Sequence, residues 1–312
     1  MSCYLFVHFR EKRSPDGEQV YFGLSRDGFR WEAVNGGQPV LWAYCGDHGV
    51  RDMTITRGPA GGFDIFATDL SLAYGMRGKY HNSWEAVRTE GSRCLAHWHS
   101  EDLVNWSDEE LLPLGDGRFT SLWAPDVLKD GDDYLLLWTS PDPDRPGHPQ
   151  VIFASRSRDL RTWGEPFVLF RREEGDTIDS ACYREGDRWY LFVKSAKNPS
   201  RVQLFRSACP TGPWERMEVF DRAMVAAGAD GHYEAPTALR LPDGRWVLYL
   251  DWFGAKGREQ GYRPFLADRL ADPCFVRADG DFTFPYRFKH GTVLEITEEE
   301  YARVRDHDWR FD

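Results

Sequence analysis

The chain has 312 residues and a formal net charge of −11, with 41% hydrophobic and 15% aromatic residues. That charge argues against nucleic acid and anionic membranes as partners, since both need clustered Lys and Arg, and no apolar run reaches the length of a membrane span. The 13 Trp suit strands and sugar-stacking platforms, while six scattered Cys without a CxxC pair read as buried free thiols rather than a metal or redox motif.

Strand-like sequence begins at Cys3, which leaves no room for a signal peptide and sets the expectation of a reduced, cytoplasmic location. CYLFVHF (3–9) and QVYFGLS (19–25) read as two strands joined by a polar loop holding Pro15-Asp16-Gly17. SRDGFRW (25–31) follows. It returns as SEDLVNW (100–106) and SRDLRTW (157–163), and more loosely as SACPTGPW, which ends at Trp214. In each, the polar side chain closes a turn while the Trp opens the next strand and packs between sheets.

A second pattern recurs with the first. VRDMTITRGPAGGFDIFATD (50–69), WAPDVLKDGDDYLLLWTS (123–140) and TIDSACYREGDRWYLFVKS (177–195) each place an acid at a strand start, then a Gly-containing turn and a second strand. YEAPTALR (233–240), a Pro-Asp-Gly turn (242–244) and RWVLYLDWF (245–253) repeat it. The leading residues Asp52, Asp126, Asp179 and Glu234, then His290 in KHGTVLEI (289–296), follow at intervals of 74, 53, 55 and 56 residues. Five units near this length, each of about four strands, predict an all-β, five-bladed β-propeller forming one domain over 1–312. An all-β sandwich is the alternative, but it has no reason to keep an acid at each unit's start.

The longer first interval falls in 71–91, a polar, irregular loop insertion on one face. The N-terminus supplies only the later strands of one unit and the C-terminus only a leading strand, 291–296. One blade is therefore shared between the two ends, closing the ring. A Thr297…Glu300 capping box predicts a short helix outside it.

In a propeller the first strand of each blade lines the axis, so Asp52, Asp126, Asp179, Glu234 and His290 would converge at one mouth. Acids gathered in a partly desolvated cavity raise one another's pKa, a cost tolerated mainly where chemistry or a cation uses it. Glycoside hydrolysis needs such a set: one protonated carboxyl, one carboxylate and a neighbour that tunes them. Asp69 and Lys194 end second strands and either reach the same mouth or are solvated strand ends. Trp98, Trp123 and Trp252 are candidate stacking faces, with Trp123 favoured by its place near Asp126.

Taken in order, GVRDMTI, GSRCLAHWHSEDLVNWS (91–107), LWAPDV, TIDSACY, YEAPT, GYRPFLADRL (261–270) and HGTVLEITEEEY resemble glycoside hydrolase family 43 over nearly the whole chain. That family comprises five-bladed propellers that act as arabinofuranosidases, arabinanases and β-xylosidases. The resemblance implies Asp52 as general base, Asp179 as the acid that modulates its neighbour's pKa, and Glu234 as general acid. It also implies Trp123 and Asp126 at the sugar site and His290 as an axial ligand, often to calcium; no cofactor is required for the chemistry itself.

Met53 departs from the family's usual proline, Ala235 from its glycine and Lys289 from arginine. Lys289 cannot give arginine's bidentate fork. The expected activity is an inverting exo-glycosidase on terminal α-L-arabinofuranosyl groups of oligosaccharides, with β-xylosidase or galactofuranosidase as alternatives. A retaining fructan hydrolase would need an Asn-Asp-Pro motif and a Glu-Cys pair, both absent here. A non-catalytic sugar-binding propeller would have lost part of the acid trio, which is complete. The insertion 71–91 and segment 254–262 are long enough to wall one side of the mouth, which favours exo action.

Overall fold

Short runs rich in Val, Ile, Leu, Tyr and Trp, cut off by Gly-containing turns, form strands that pair with their immediate neighbours. The computed structural model describes residues 3–172, 175–195, 200–254 and 260–309. Along the chain come β1 (Cys3–His8), β2 (Tyr21–Ser25) and β3 (Glu32–Ala33). The second sheet holds β4 (Val50–Arg57), β5 (Phe63–Asp69), β6 (Cys94–Ser100) and β7 (Glu110–Pro113). The third holds β8 (Trp123–Asp130), β9 (Asp133–Ser140), β10 (Val151–Ser157) and β11 (Phe167–Phe170). The fourth holds β12 (Ile178–Glu185), β13 (Arg188–Lys194), β14 (Val202–Ser207) and β15 (Glu215–Arg216). The fifth holds β16 (Tyr233–Arg240), β17 (Trp246–Trp252), β18 (Gly261–Ala267) and β19 (Val276–Arg277).

The last strand, β20 (Thr292–Ile296), returns to the first sheet. It pairs antiparallel with β1, Cys3 opposite Ile296 and Val7 opposite Thr292. The described residues thus form five antiparallel sheets of four strands. The inner strands pass contact around the axis, β20 to β4, β8, β12, β16 and back to β20. This is the five-bladed propeller expected, closed by its two terminal strands.

The repeated Ser-x-Asp turns close as their side chains dictate. Ser25 Oγ accepts the Gly28 N–H at 2.9 Å, while Asp27 Oδ1 accepts those of Phe29 and Arg30 at 2.8 Å. Ser100 and Asp102 do the same for Leu103, Val104 and Asn105, and Ser157 and Asp159 for Leu160, Arg161 and Thr162. Between blades the core is aromatic. Phe66, Phe119, Trp138 and Phe153 fill the seam between the second and third sheets, and each buried ring contributes roughly 1.5–3 kcal/mol.

Three α-helices decorate the described strands. The insertion holds α1 (Trp84–Thr89), which composition alone reads as irregular; Ser83 caps it by accepting the Ala86 N–H. Asp47 anchors the insertion by accepting from Tyr80 Oη at 2.6 Å and Lys79 Nζ at 2.8 Å. Helix α2 (Glu218–Ala226) buries Phe220 and Met224, and α3 (Glu298–Asp306) carries the expected capping box in full. No described helix is long and apolar enough to cross a membrane. All six cysteines are free thiols: Cys3 and Cys182 are buried as expected, Cys45 and Cys94 half-buried, and Cys209 and Cys274, which lie outside the strands, exposed.

Candidate active site

The inner strands of blades two to five each carry a bulge at their axial start. Register jumps between Arg51 and Thr54, Trp123 and Asp126, Ile178 and Ser180, and Glu234 and Thr237. In every bulge one non-glycine residue turns left-handed: Asp52 (φ 52°), Ala124 (φ 48°), Asp179 (φ 53°) and Ala235 (φ 49°). Left-handed backbone costs an L-residue roughly 1–2 kcal/mol, and Asp tolerates it better than Ala. A glycine at 235, as in the family resembled, would adopt it without that penalty.

Aligned on the bulges, Asp52 and Asp179 are equivalent, Glu234 lies one residue earlier and Asp126 two residues later. Sequence spacing treats the four acids as equivalent, but the structure sorts them into three positions. A bulge re-aims the side chains around it, so the difference decides who reaches the mouth. Asp52, Asp179 and Glu234 line a cavity of about 550 Å³ together with Trp123, Lys194 and His290. Asp126 does not line it. Its carboxylate faces protein and accepts the Cys182 N–H at 3.0 Å, and burial pushes its pKa up to about 6.

The trio is held in distinct electrostatic settings. Burial works to raise Asp52, but His290 outweighs it through charge and through Nδ1, 3.1 Å from Asp52 Oδ1, with help from Arg51 and Thr68. Asp52 therefore titrates below the usual carboxylate range. Thr68 Oγ1 donates to Asp52 Oδ2 at 3.2 Å and accepts the Ala124 N–H at 2.8 Å, tying blade two to blade three at the base. His290 gains correspondingly. Although burial lowers it, the charges and hydrogen bond of the carboxylates raise it to about 8.

Asp179 is raised, first by burial and then by Glu234 and Asp52, against the pull of Lys194 and His290. The Ala235 N–H, aimed by its left-handed backbone, donates to Asp179 Oδ2 at 3.2 Å. Glu234 is half-buried, which works to raise it, yet Lys194 draws it below its ordinary value by charge and by a hydrogen bond from Nζ, with Lys289 and His290 adding to the effect.

Arg51 joins this site to the insertion. Its guanidinium donates to Glu18 at 2.8 Å, and Glu18 accepts Ser71 Oγ and the Ala73 N–H at 3.0 Å. From that insertion Trp84, Glu85 and Arg88 rise to wall the cavity. Phe253 and Gln260 wall it too; residues 255–259 between them lie outside the described residues. The sequence signal for Trp84 and Arg88 was only the surplus length of the first interval. Lys289 lies buried beside Asp251, whose carboxylate it meets at 2.8 Å and whose pKa burial lifts to about 6.

Besides Asp126, three further candidate sugar contacts lie elsewhere. Trp98, on the third strand of its blade, is 2% exposed and packs in the seam between the first and second sheets. Asp69 is buried away from the cavity lining, where Oδ1 accepts the Asp47 N–H at 2.7 Å and shapes the loop beneath the insertion. Trp252 is buried in core and donates Nε1 to Asp230 at 2.8 Å. The donor set also fits an axial metal poorly. Among the described residues no group of three His, Cys, Asp or Glu side chains is arranged to hold a metal ion, and His290 has its Nδ1 on Asp52.

The described strands thus form a closed five-bladed propeller with Asp52, Asp179 and Glu234 at its axial mouth beside Lys194 and His290. Residues 1–302 match the profile of the family described as "Probable glycosyl hydrolase domain", a relative of glycoside hydrolase family 43. The chain belongs to that glycosyl hydrolase family. It is 27% identical over 218 residues to an α-L-arabinofuranosidase of Bifidobacterium longum subsp. longum, an alignment covering 62% of this chain and 19% of that protein's length. Among solved structures, a thermostable family-43 glycoside hydrolase shares the fold with a TM-score of 0.52 at 14% identity, over 76% of this chain and 74% of that one. The catalytic domain of a Coprinopsis cinerea GH62 α-L-arabinofuranosidase does so with a TM-score of 0.52 at 14% identity, over 77% and 70%.

Proposed function

We propose that the chain is an inverting exo-glycosidase that removes terminal α-L-arabinofuranosyl groups from oligosaccharides. The observation that carries this reading is the convergence of Asp52, Asp179 and Glu234 on one walled cavity. The arabinofuranosyl preference draws on the Bifidobacterium relative. Asp52, kept ionised by His290, is suited to take a proton from water. Glu234 protonates the departing oxygen, and Asp179, whose charge works to raise Glu234 and whose Oδ2 accepts the neighbouring Ala235 N–H, tunes its pKa and orientation.

Lys194 defines the order of events. While its ammonium stays on Glu234, that carboxyl is a poor acid. A saccharide hydroxyl that draws the Lys194 ammonium away from Glu234 removes the hydrogen bond and weakens the charge that hold this carboxyl down, so Glu234 rises toward the range of a general acid. Inversion follows from a water attacking on the face opposite the departing oxygen.

The test is a panel of aryl furanosides and pyranosides, with the anomeric form of the first product read by NMR. Turnover of the α-L-arabinofuranoside with inversion is expected. Retention, or a pyranoside preferred over it, would overturn the mechanism or the sugar respectively. Sugar binding without turnover of any member would leave a binding propeller.

A further inference from the structure

Trp84, Glu85 and Arg88 bring the insertion 71–91 to the wall of the catalytic cavity. Glu85 and Arg88 are joined to each other by a hydrogen-bonded ion pair. Trp84 is left facing solvent at 54% exposure, the most exposed of the chain's 13 tryptophans. A lone surface Trp would need no explanation. This one lines a cavity, and the helix that carries it is held in place.

Below the exposed ring, Val87 of α1 is fully buried with Leu70 and Tyr80, and Trp123 packs against the same cluster. Thr120, just ahead of β8, donates its Oγ1 to the Arg88 carbonyl at 3.0 Å. The helix is thus tied to the strand that opens with Trp123. Two indoles then line one cavity, Trp123 at the start of an inner strand and Trp84 on the insertion outside the ring.

At about 550 Å³ the cavity is of the size that holds drug-sized ligands, so it has room for a second sugar ring beside a terminal furanose. Ring shape selects that second sugar. An indole presents a broad, flat apolar face. A β-linked pyranose with equatorial substituents turns axial C–H bonds to a face of the same kind. A furanose ring is smaller, puckered and hydroxylated on both sides, and it covers an indole less well.

We infer that Trp84 is the stacking platform for the sugar that carries the departing oxygen, and that this sugar is a pyranose. The inference rests on the glycosidase reading and deepens it: the substrate is an arabinofuranosyl branch on a pyranosyl backbone.

The experiment sets Trp84→Ala and Trp84→Phe against wild type on three α-L-arabinofuranosides: a branched arabinofuranosyl-xylotriose, a linear 1,5-linked arabinotriose and the trifluoroethyl glycoside, which has no second ring. In Trp84→Ala, kcat/KM on the branched compound should fall about 10-fold, chiefly through KM, and Trp84→Phe should restore most of it. The loss should be smaller on arabinotriose and smallest on the trifluoroethyl glycoside. No loss on the branched compound, or an equal loss on all three, would overturn the platform. A loss on arabinotriose alone as large as that on the branched compound would overturn the pyranose. Calorimetry keeps this separate from the glycosidase reading. Binding of the branched compound, weakened about 10-fold in Trp84→Ala, supports the platform even if no arabinofuranoside is turned over, a failure that counts only against the enzyme. Wild-type protein that binds this compound no better than Trp84→Ala would overturn the platform.

Discussion

Two carboxylate–cation pairs look into one cavity, and they are built to different specifications. Asp52 is paired with an imidazole that titrates at about 8, Glu234 with an ammonium raised above its already basic range. Both carboxylates are pulled down, but only the ammonium keeps its charge at every pH the protein would meet. Under the proposed roles the general base stands ionised before substrate arrives. The general acid is held down by its lysine.

The sharpest way to break this contrast is to neutralise each acid in turn. Asp52→Asn should lose roughly 10²–10⁴-fold in kcat whatever the leaving group, because water must always be activated. Glu234→Gln should lose as much on natural oligosaccharides, yet far less on a dinitrophenyl glycoside, which departs without a proton. Matching leaving-group profiles in the two variants would remove the distinction between the sides.

Trp123 tests whether the sugar sits between them. Trp123→Ala removes an aromatic wall worth about 1–3 kcal/mol of binding and should raise KM for every glycone with kcat nearly kept. Unaltered kinetics would place the ring in the blade seam.

Stability against pH isolates the Asp52 side. His290 rises from 6.5 to about 8 on folding, so it contributes stability fully below pH 6.5 and loses it as pH climbs through 8. The free-energy gap between wild type and His290→Gln should therefore shrink by about 2 kcal/mol across that window. A gap that stays constant with pH would sever the pair. EDTA should leave the melting temperature where it is, and a fall abolished by His290→Gln would return this residue to a metal-binding role.

Lys194→Met sharpens the other side. Without the cation Glu234 titrates higher, so the basic limb of the pH–rate profile should move upward. An unmoved limb would mean that Lys194 does not control the acid.

The ring, its closure and the last helix were legible because they rest on patterns repeated over many residues. Turn chemistry at Ser25-x-Asp27, the alternation of apolar strands and the Thr297…Glu300 box all speak locally and agree globally. The mouth was legible only to within a residue or two. A rhythm near 55 residues does not resolve a bulge, yet the bulge is what brings Asp52, Asp179 and Glu234 to the cavity and leaves Asp126 bonded to the Cys182 backbone.

Trp98 shows a different limit. Its ring points into a seam because of its place on a third strand, and a Trp in isolation carries no mark of which strand of a blade it will join. The same holds for Asp69, whose duty to the Asp47 loop comes from tertiary contact alone. Lys194 had a strand end and nothing more to recommend it, and its hold on Glu234 depends on two blades meeting.

Ring closure by β20 against β1 has a consequence in time. Residues 292–296 must find residues 3–7 across almost the entire chain, the kind of distant pairing that forms slowly. Lys289 and His290 stand immediately before that strand, so Asp52 meets its imidazole only when the ends meet. A polypeptide emerging from a ribosome would stack four blades, aromatic seams included, while still chemically mute. Under the proposed function, competence arrives only with the final strand.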